Sequence, residues 1–228
     1  MRIFENIDCM EGMVKYKDLL LSRNTVAIVD PPYGLGLKML ISKVKGRRDI
    51  YKDTGWNDNP PPLEYFNQLY QITNHRIIWG CNYFVGMIKD MGRIVHRKLI
   101  TGGAKSKMLS ECDLASQSFN RRIEYYEHQW SGNVQNGQMN IKMEESITKG
   151  LENRIHPTQK PIALYKWLIK KYAKPGDLIL DTHVGSASSL IAFEDMGFDY
   201  VGFEIDKDYY DAACKRLEQF RSQLKLAV

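Results

Sequence analysis

The sequence predicts an α/β protein with a mostly parallel sheet and helices on both of its faces. Short apolar strand patterns alternate with amphipathic helical patterns, which is typical of parallel sheets because each crossover needs a long connection. Small and polar residues follow several strand patterns, at the strand ends where such folds build sites. With 228 residues and 43% hydrophobic content, the chain is expected to bury a full core as one domain over residues 1–228.

The individual elements follow from hydrophobic periodicity. Strands are predicted near residues 2–7, 25–29, 75–80, 94–100, 178–181 and 199–204. Helices are predicted near 10–22, 63–73, 82–91, 161–173, 187–197 and 207–225, with the last two the most regular. An extended run through Ile123, Tyr125 and His128, followed by the turn dipeptide Asn136-Gly137, predicts a hairpin within residues 121–144.

Composition restricts the class of protein. A net charge of +5 and a pI near 8.9 suit a polyanionic partner, although proteins that never bind nucleic acid share such values. The four cysteines form no Cys-x-x-Cys pair, so we expect neither a zinc site nor a disulfide framework, and the reducing cytoplasm is the natural compartment. No signal peptide and no apolar stretch of about 18 residues is present, so no membrane association is expected.

The tetrapeptide Asp30-Pro31-Pro32-Tyr33 directly follows the predicted buried strand 25–29. Two prolines remove two N–H donors and restrict two φ angles, which leaves carbonyl oxygens without local donors. The Asp30 carboxylate and the Tyr33 ring add an acceptor and a stacking face. This corner is suited to a planar group that bears an NH₂, such as a flipped nucleobase, whereas a proline-stiffened turn is the structural alternative.

Two segments interrupt the regular pattern, at about 34–62 and 101–122, and are predicted to be exposed loops. Residues 93–107 contain five basic residues and no acidic one, so a positive surface that attracts phosphates is expected there, with a solvated strand edge as the alternative. The candidate DNA-binding residues are Lys43, Lys45, Arg47, Arg48, Arg97, Lys98, Lys105 and Lys107.

A second motif runs from Leu178 to Ser189 and combines a buried strand, a turn of small residues and a helix start. Small side chains allow a ligand to approach the backbone, and Glu204, at the end of the next strand, is placed to accept ribose hydroxyls. Dinucleotide-dependent dehydrogenases share this pattern. They need three spaced glycines, however, whereas only Gly185 is present here, so an adenosine half-site is the better interpretation.

A third motif, His156-Pro157-Thr158-Gln159-Lys160-Pro161, precedes the predicted helix near Ile162. Pro161 suits a first helical position, so the motif alone could be a helix entry and nothing more.

In chain order, however, the three motifs together resemble the S-adenosylmethionine-dependent DNA amino-methyltransferases. The catalytic half precedes the cofactor half, as in the circularly permuted β-type branch, and the small size resembles phage and prophage members.

The resemblance implies a Rossmann-like methyltransferase fold with seven strands, a mostly parallel sheet and helices on both faces. It also implies S-adenosylmethionine as methyl donor and no metal. The residues that match the catalytic motif are Asp30, Pro31, Pro32 and Tyr33. The residues assigned by the resemblance to the donor site are Asp8, Cys9, His156, Lys160, Pro161, Asp181, His183, Gly185, Ser186, Glu204 and Ile205. Relatives usually carry phenylalanine at position 183 and glycine at position 187, where this chain has His183 and Ala187.

The expected function is methylation of adenine N6 in double-stranded DNA by base flipping, because relatives that act on cytosine N4 more often have serine in place of Asp30. Cytosine N4 methylation and a degenerate, non-catalytic DNA-binding module remain the alternatives. Loops at about 34–62 and 101–150 are the expected DNA-recognition insertions. The chain is expected to act as a monomer or homodimer, with a restriction-enzyme partner left open.

Overall fold

The computed structural model describes residues 1–36, 55, 57–98, 110–128, 152 and 155–226, together with the backbone of three short strands between residues 130 and 139. Of the predicted DNA-binding residues, Lys43, Lys45, Arg47, Arg48, Lys105 and Lys107 lie outside the described residues.

An eight-stranded sheet forms the centre of the protein. Its strands are β1 (Arg2–Asn6), β2 (Thr25–Val29), β3 (His75–Trp79), β4 (Gly92–Lys98), β5 (Cys112–Gln117), β6 (Ile123–His128), β10 (Leu178–Asp181) and β11 (Asp199–Glu204). Their order across the sheet is β1-β11-β10-β2-β3-β5-β4-β6. All neighbours pair in parallel except β5, which is antiparallel to β3 and β4. The predicted mostly parallel α/β fold is therefore confirmed, with eight strands where seven were expected.

Strand β5 corrects the prediction of an exposed loop over residues 101–122 at positions 112–117, while residues 101–109 lie outside the described residues. Its sequence, Cys-Asp-Leu-Ala-Ser-Gln, has no β-branched or aromatic residue and so gives little strand signal. Pairing on both sides, with β3 and with β4, supplies the hydrogen bonds that hold it extended. Pairing with β3 and β4, and not the residue types of β5 itself, therefore accounts for this strand.

The hairpin predicted within residues 121–144 is partly right. The run that begins at Ile123 is β6 of the main sheet and pairs in parallel with β4. The antiparallel pairing lies further along, in a small sheet of β7 (Trp130–Ser131), β8 (Val134–Gln135) and β9 (Gln138–Met139). Val134 pairs with Met139 across the predicted Asn136-Gly137 turn, whose own residues lie outside the described ones.

In the described part of the chain, six helices cover the sheet: α1 (Cys9–Lys15), α2 (Lys17–Leu21), α3 (Leu63–Ile72), α4 (Ile162–Tyr172), α5 (Ser188–Asp195) and α6 (Lys207–Leu226). One hydrophobic core combines strand residues such as Val26 and Ile77 with Leu168 of α4 and Leu190 of α5. A second core on the other face packs Ala27 and Ile78 against α1, α2 and α3. Helices on both faces are thus confirmed. None of these six helices is long and apolar enough to cross a bilayer.

The helix predicted over residues 82–91 is wrong. Only Cys81–Tyr83 forms a single 3₁₀ turn, which is preceded by Gly80 at φ +73° and followed by Gly86 at φ +79°. Left-handed glycines interrupt a helix, although Phe84 of this segment is buried in the second core. The apolar spacing therefore predicted burial correctly and secondary structure incorrectly.

Candidate active site

A cavity of about 300 Å³ lies at the carboxyl ends of the parallel strands. Asp30 reaches it from the end of β2, and Glu204 reaches it from the end of β11. The predicted site residues among its lining are Asp8, Cys9, Asp30, Pro32, His156, Lys160, His183, Gly185, Ser186, Glu204 and Ile205. Pro31, Tyr33, Pro161 and Asp181 do not line it. Residues of the Asp30–Tyr33 motif and residues assigned to the methyl-donor site therefore line the same cavity.

The Asp30 carboxylate is held by two hydrogen bonds. The Tyr33 hydroxyl donates to Oδ1 at 2.6 Å, and the Lys160 ammonium donates to Oδ2 at 2.6 Å. The backbone N–H of Tyr33, the first donor after the two prolines, bonds to Oδ1 of Asn57 at 3.0 Å. Since each carboxylate oxygen has further lone-pair capacity, Asp30 can still accept hydrogen bonds from a ligand.

The Tyr33 ring is packed tightly among neighbours. It stacks on Tyr83 with ring centroids 4.9 Å apart and meets Phe84 edge-on at 6.1 Å. Gly80 lies against the ring edge, where any Cβ would clash with it. Burial, followed by the nearby Asp30 charge, raises the pKa of Tyr33 well above its ordinary value. The hydroxyl therefore stays protonated and can act as a donor to Asp30.

The turn after β10 is organised by Asp181 and Glu204. Asp181 accepts hydrogen bonds from the His183 N–H at 3.0 Å and from the Ser189 hydroxyl at 2.5 Å. Gly185, at φ +55°, donates its N–H to Oε2 of Glu204 at 2.8 Å. Burial raises the pKa of Asp181 to about 7. Asp181 therefore shapes the turn from behind and does not face the cavity.

The Glu204 carboxylate is positioned to accept hydrogen bonds from a ligand. Its Oε2 accepts from Gly185, and its Oε1 accepts from the Asp206 N–H at 2.9 Å, so both oxygens have fixed positions. Burial raises the pKa of this carboxyl, while the two backbone N–H groups act in the opposite direction. One lone pair on each oxygen remains for a pair of ligand hydroxyls.

Ala187 is the one non-glycine residue in the described part of the chain with a positive φ, at +61°. It precedes α5 and is fully buried. Such a conformation costs about 1 kcal/mol or more for a residue with a Cβ. The turn therefore adopts a left-handed backbone geometry that glycine would accept without strain, despite the methyl group of Ala187.

The segment from His156 to Pro161 closes one side of the cavity. The His156 ring packs edge-on against Tyr209 at 4.4 Å, and its Nδ1 lies 3.2 Å from the Thr158 hydroxyl. Pro161 is the N-cap residue of α4, so the helix begins one position later than the prediction that made Pro161 its first residue. Lys160 projects towards Asp30 from this segment.

The remaining predicted donor-site residues have distinct environments. Asp8 is the N-cap of α1 and accepts from the Met10 N–H at 2.8 Å. Burial raises the pKa of Cys9 to about 12, so its thiol is not a nucleophile. Burial also lowers the pKa of His183 to about 4, which leaves its ring neutral at pH 7. Ile205 is largely exposed at the rim.

Sequence reasoning missed several residues of the site. Tyr65 of α3 reaches the cavity, and its hydroxyl is hydrogen-bonded to that of Thr182 at 2.7 Å. Arg216 of α6 donates to the Ser186 carbonyl and the Ser188 hydroxyl, both at 2.8 Å, and so stabilises the turn between β10 and α5. Both residues occupy ordinary helix positions, so no local signal distinguishes them. Asn59 to Pro62, at the end of the predicted loop 34–62, also line the cavity.

The expected positive surface is partly neutralised in three dimensions. Arg97 forms an ion pair with Glu127 at 2.9 Å, and Lys98 forms one with Asp113 at 2.7 Å. The acids come from β6 and β5, so inspection of residues 93–107 alone could not show them. Arg97 remains half-exposed at the same strand-end edge as the cavity.

Part of this sequence is similar to known DNA methylases. Residues 105–215 match the family described as DNA methylase. Type II methyltransferase M2.DpnII of Streptococcus pneumoniae is 36% identical over 97 residues, which cover 41% of this chain and 36% of that protein. Matches to three curated relatives cover between 24% and 36% of their lengths, so the aligned segments span about a third or less of each.

Solved structures share the fold over nearly the whole chain. The M1.HpyAVI–SAM complex superposes with a TM-score of 0.58 at 18% identity, covering 95% of this chain and 100% of that one. PvuII DNA methyltransferase, which is cytosine-N4-specific, superposes with a TM-score of 0.56 at 12% identity, covering 92% and 84%. The predicted resemblance is thus confirmed: this chain matches the DNA methylase family over residues 105–215 and has the Rossmann-like fold of the DNA methyltransferases.

Proposed function

We propose that this protein transfers the methyl group of S-adenosylmethionine to the N6 amino group of adenine in double-stranded DNA. The observation that carries the proposal is that Asp30 and Glu204, from the two halves of the sequence, line one cavity at the strand carboxyl ends. Direct transfer between two bound molecules requires that both bind close together. Asp30 as the acceptor for the base and Glu204 as the acceptor for the nucleoside of the methyl donor meet this requirement in one cavity.

The residues around Glu204 fit the donor. Two ribose hydroxyls can donate to the two Glu204 oxygens, whose positions are fixed by Gly185 and Asp206. Gly185 and Ser186 offer small side chains on that side, and Ile205 offers apolar surface for an adenine ring. When bound, the sulfonium donor supplies an activated methyl group, so no covalent enzyme intermediate is needed.

The residues around Asp30 fit the acceptor base. An adenine amino nitrogen is a poor nucleophile, because its lone pair is delocalised into the ring. Asp30, which lines the cavity, accepts hydrogen bonds from the amino N–H groups, which favours a pyramidal nitrogen and stabilises the positive charge that develops on it. The base leaves the duplex to reach this buried corner, where Tyr33, which stacks on Tyr83 and does not line the cavity, contributes by holding Asp30 in place.

Adenine is the proposed base because an aspartate opens the motif at position 30. PvuII, which shares the fold, acts on cytosine N4, so the fold is compatible with either base. The half-exposed Arg97 lies at the edge of the sheet where DNA must approach, and it provides a contact for phosphate. A non-catalytic DNA-binding module is the second candidate, favoured by His183 and by the backbone strain at Ala187.

Purified protein incubated with labelled S-adenosylmethionine and unmethylated duplex DNA tests the proposal, with nucleoside analysis of the product. We expect N6-methyladenine. Detection of N4-methylcytosine alone would refute the adenine assignment. DNA binding without any donor binding in calorimetry would favour the non-catalytic module.

Asp30→Ala is expected to abolish methyl transfer and to leave binding of the methyl donor largely intact. Asp30 is hydrogen-bonded to Tyr33 within the catalytic motif, whereas Glu204, the residue proposed to bind the ribose of the methyl donor, belongs to a different motif. The matched control is Asp211→Ala, the same substitution at an exposed position of α6, which should change neither property. Equal loss of donor binding and transfer in Asp30→Ala would contradict this division of roles.

A further inference from the structure

Lys160 makes its hydrogen bonds with the catalytic motif, at the end of the cavity that contains Asp30. Its ammonium donates to Oδ2 of Asp30 at 2.6 Å and to the Tyr33 hydroxyl at 3.2 Å. The same ammonium lies 5.3 Å from the centroid of the Trp79 ring. The family resemblance, by contrast, assigns this lysine to the donor. Its contacts therefore connect the segment from His156 to Pro161 to the catalytic motif, 130 residues earlier in the chain.

Lys160 and Asp30 are both largely buried. The Lys160 side chain is only 7% exposed, and Asp30 is 15% exposed. A buried ammonium needs a compensating charge, which Asp30 supplies directly and Asp113 of β5 supplies nearby. Among the described residues that line the cavity, Lys160 is the one lysine or arginine, so none of the others could replace its charge there.

We propose that Lys160 is a positioning residue that holds the Asp30 carboxylate in the orientation needed to accept the amino group of the target base. The inference rests on the proposed function and adds a role to it. Tyr33 holds Oδ1 and Lys160 holds Oδ2, so the carboxylate plane cannot rotate freely about χ2. The lone pairs that remain then point in fixed directions.

Charge supports the same role. The Lys160 ammonium balances the negative charge of Asp30 in a buried setting, so the carboxylate acts as a fixed acceptor. The transition state benefits from an acceptor that needs no reorganisation when charge develops on the amino nitrogen. Loss of Lys160 should therefore reduce the rate of transfer more than it reduces donor affinity.

Lys160→Met removes the ammonium and keeps the length of the side chain. We expect kcat for methyl transfer to fall by about 10- to 100-fold, the effect of misplacing a catalytic group by about 1 Å. The donor Kd should change by less than about threefold, or about 0.65 kcal/mol. Lys170→Met, at an exposed position of α4, the helix that follows Lys160, is the control and should match the wild type.

Lys160→Ala provides an independent measurement. A primary ammonium ion such as propylammonium can enter through the cavity and restore the charge beside Asp30, so kcat should rise saturably with its concentration. Propanol at the same concentrations should have no effect. A purely structural contribution of Lys160 would not respond to the added amine.

The possible outcomes separate the two proposals. An inactive wild-type protein would refute the proposed function itself. An active wild type with unchanged kcat and a raised donor Kd in Lys160→Met would show that Lys160 serves the donor alone, and would overturn the inference. A loss of kcat in Lys160→Ala that propylammonium does not relieve would overturn it as well.

Discussion

Gly80→Ala should displace Tyr33 and so test whether the position of its ring matters for methyl transfer. A Cβ on Gly80 would lie 2.1 Å from Cε1 and 2.5 Å from Cδ1 of Tyr33, whereas ordinary contacts begin at 3.4 Å. The ring must therefore move by about 1.3 Å, the difference between 3.4 and 2.1 Å, to relieve the clash. Tyr83, stacked on the ring, restricts the directions in which it can move.

A shift of that size disrupts the 2.6 Å hydrogen bond from Tyr33 to Asp30. Displacements of about 1 Å in an active site cost on the order of 100-fold in rate, so we expect kcat to fall by about 10- to 100-fold. The free energy of unfolding should fall by about 2 to 5 kcal/mol, which combines about 1 to 2 kcal/mol for a left-handed alanine with about 1 to 3 kcal/mol for overpacking.

Gly86→Ala is the matched control, because Gly86 has a similar φ of +79° and no atom lies within 4 Å of its added Cβ. It should lose only about 1 to 2 kcal/mol of unfolding free energy and keep its kcat. Urea denaturation measures stability, and transfer of labelled methyl groups to DNA measures rate. Equal kcat values for the two alanine variants would refute the reasoning that the Tyr33 position controls catalysis.

Two further variants test the donor half. Glu204→Gln places an NH₂ group against the N–H of Gly185 or Asp206 and loses charge-assisted hydrogen bonds of about 1.5 to 3 kcal/mol. Calorimetry should therefore show a Kd for the methyl donor that is about 10- to 150-fold higher. An unchanged Kd would exclude Glu204 from ribose binding. Asp181→Asn should be more thermostable than the wild type above about pH 7. Burial raises the pKa of Asp181 from 3.8 to about 7, so ionising this group opposes folding increasingly as the pH rises through that window. The difference in Tm should vanish near the lower end of that window, and a difference that instead grows towards low pH would contradict the assignment.

Much of the fold could be predicted because its signals are local. The apolar run Thr25–Val29 forms a fully buried strand, and the segment 162–172 forms a helix, within one residue of the predicted bounds at either end. By contrast, β5 has a polar sequence and depends on pairing with β3 and β4. The failed helix over 82–91 shows the opposite case, in which apolar spacing was present and the left-handed Gly86 broke the helix.

The sequence by itself determined which residues are candidates for the site, because Asp30, Lys160 and Glu204 stand in motifs whose residue types and spacing are visible without coordinates. Only the tertiary structure decided how these motifs meet. It directs Lys160 to Asp30, pairs Lys98 with Asp113, and brings Tyr65 and Arg216 to the site from ordinary helices. The physical reason is that side-chain partners are set by sheet order and helix packing, which join residues far apart in the chain, such as Lys160 and Asp30, whereas a motif records only its immediate neighbours.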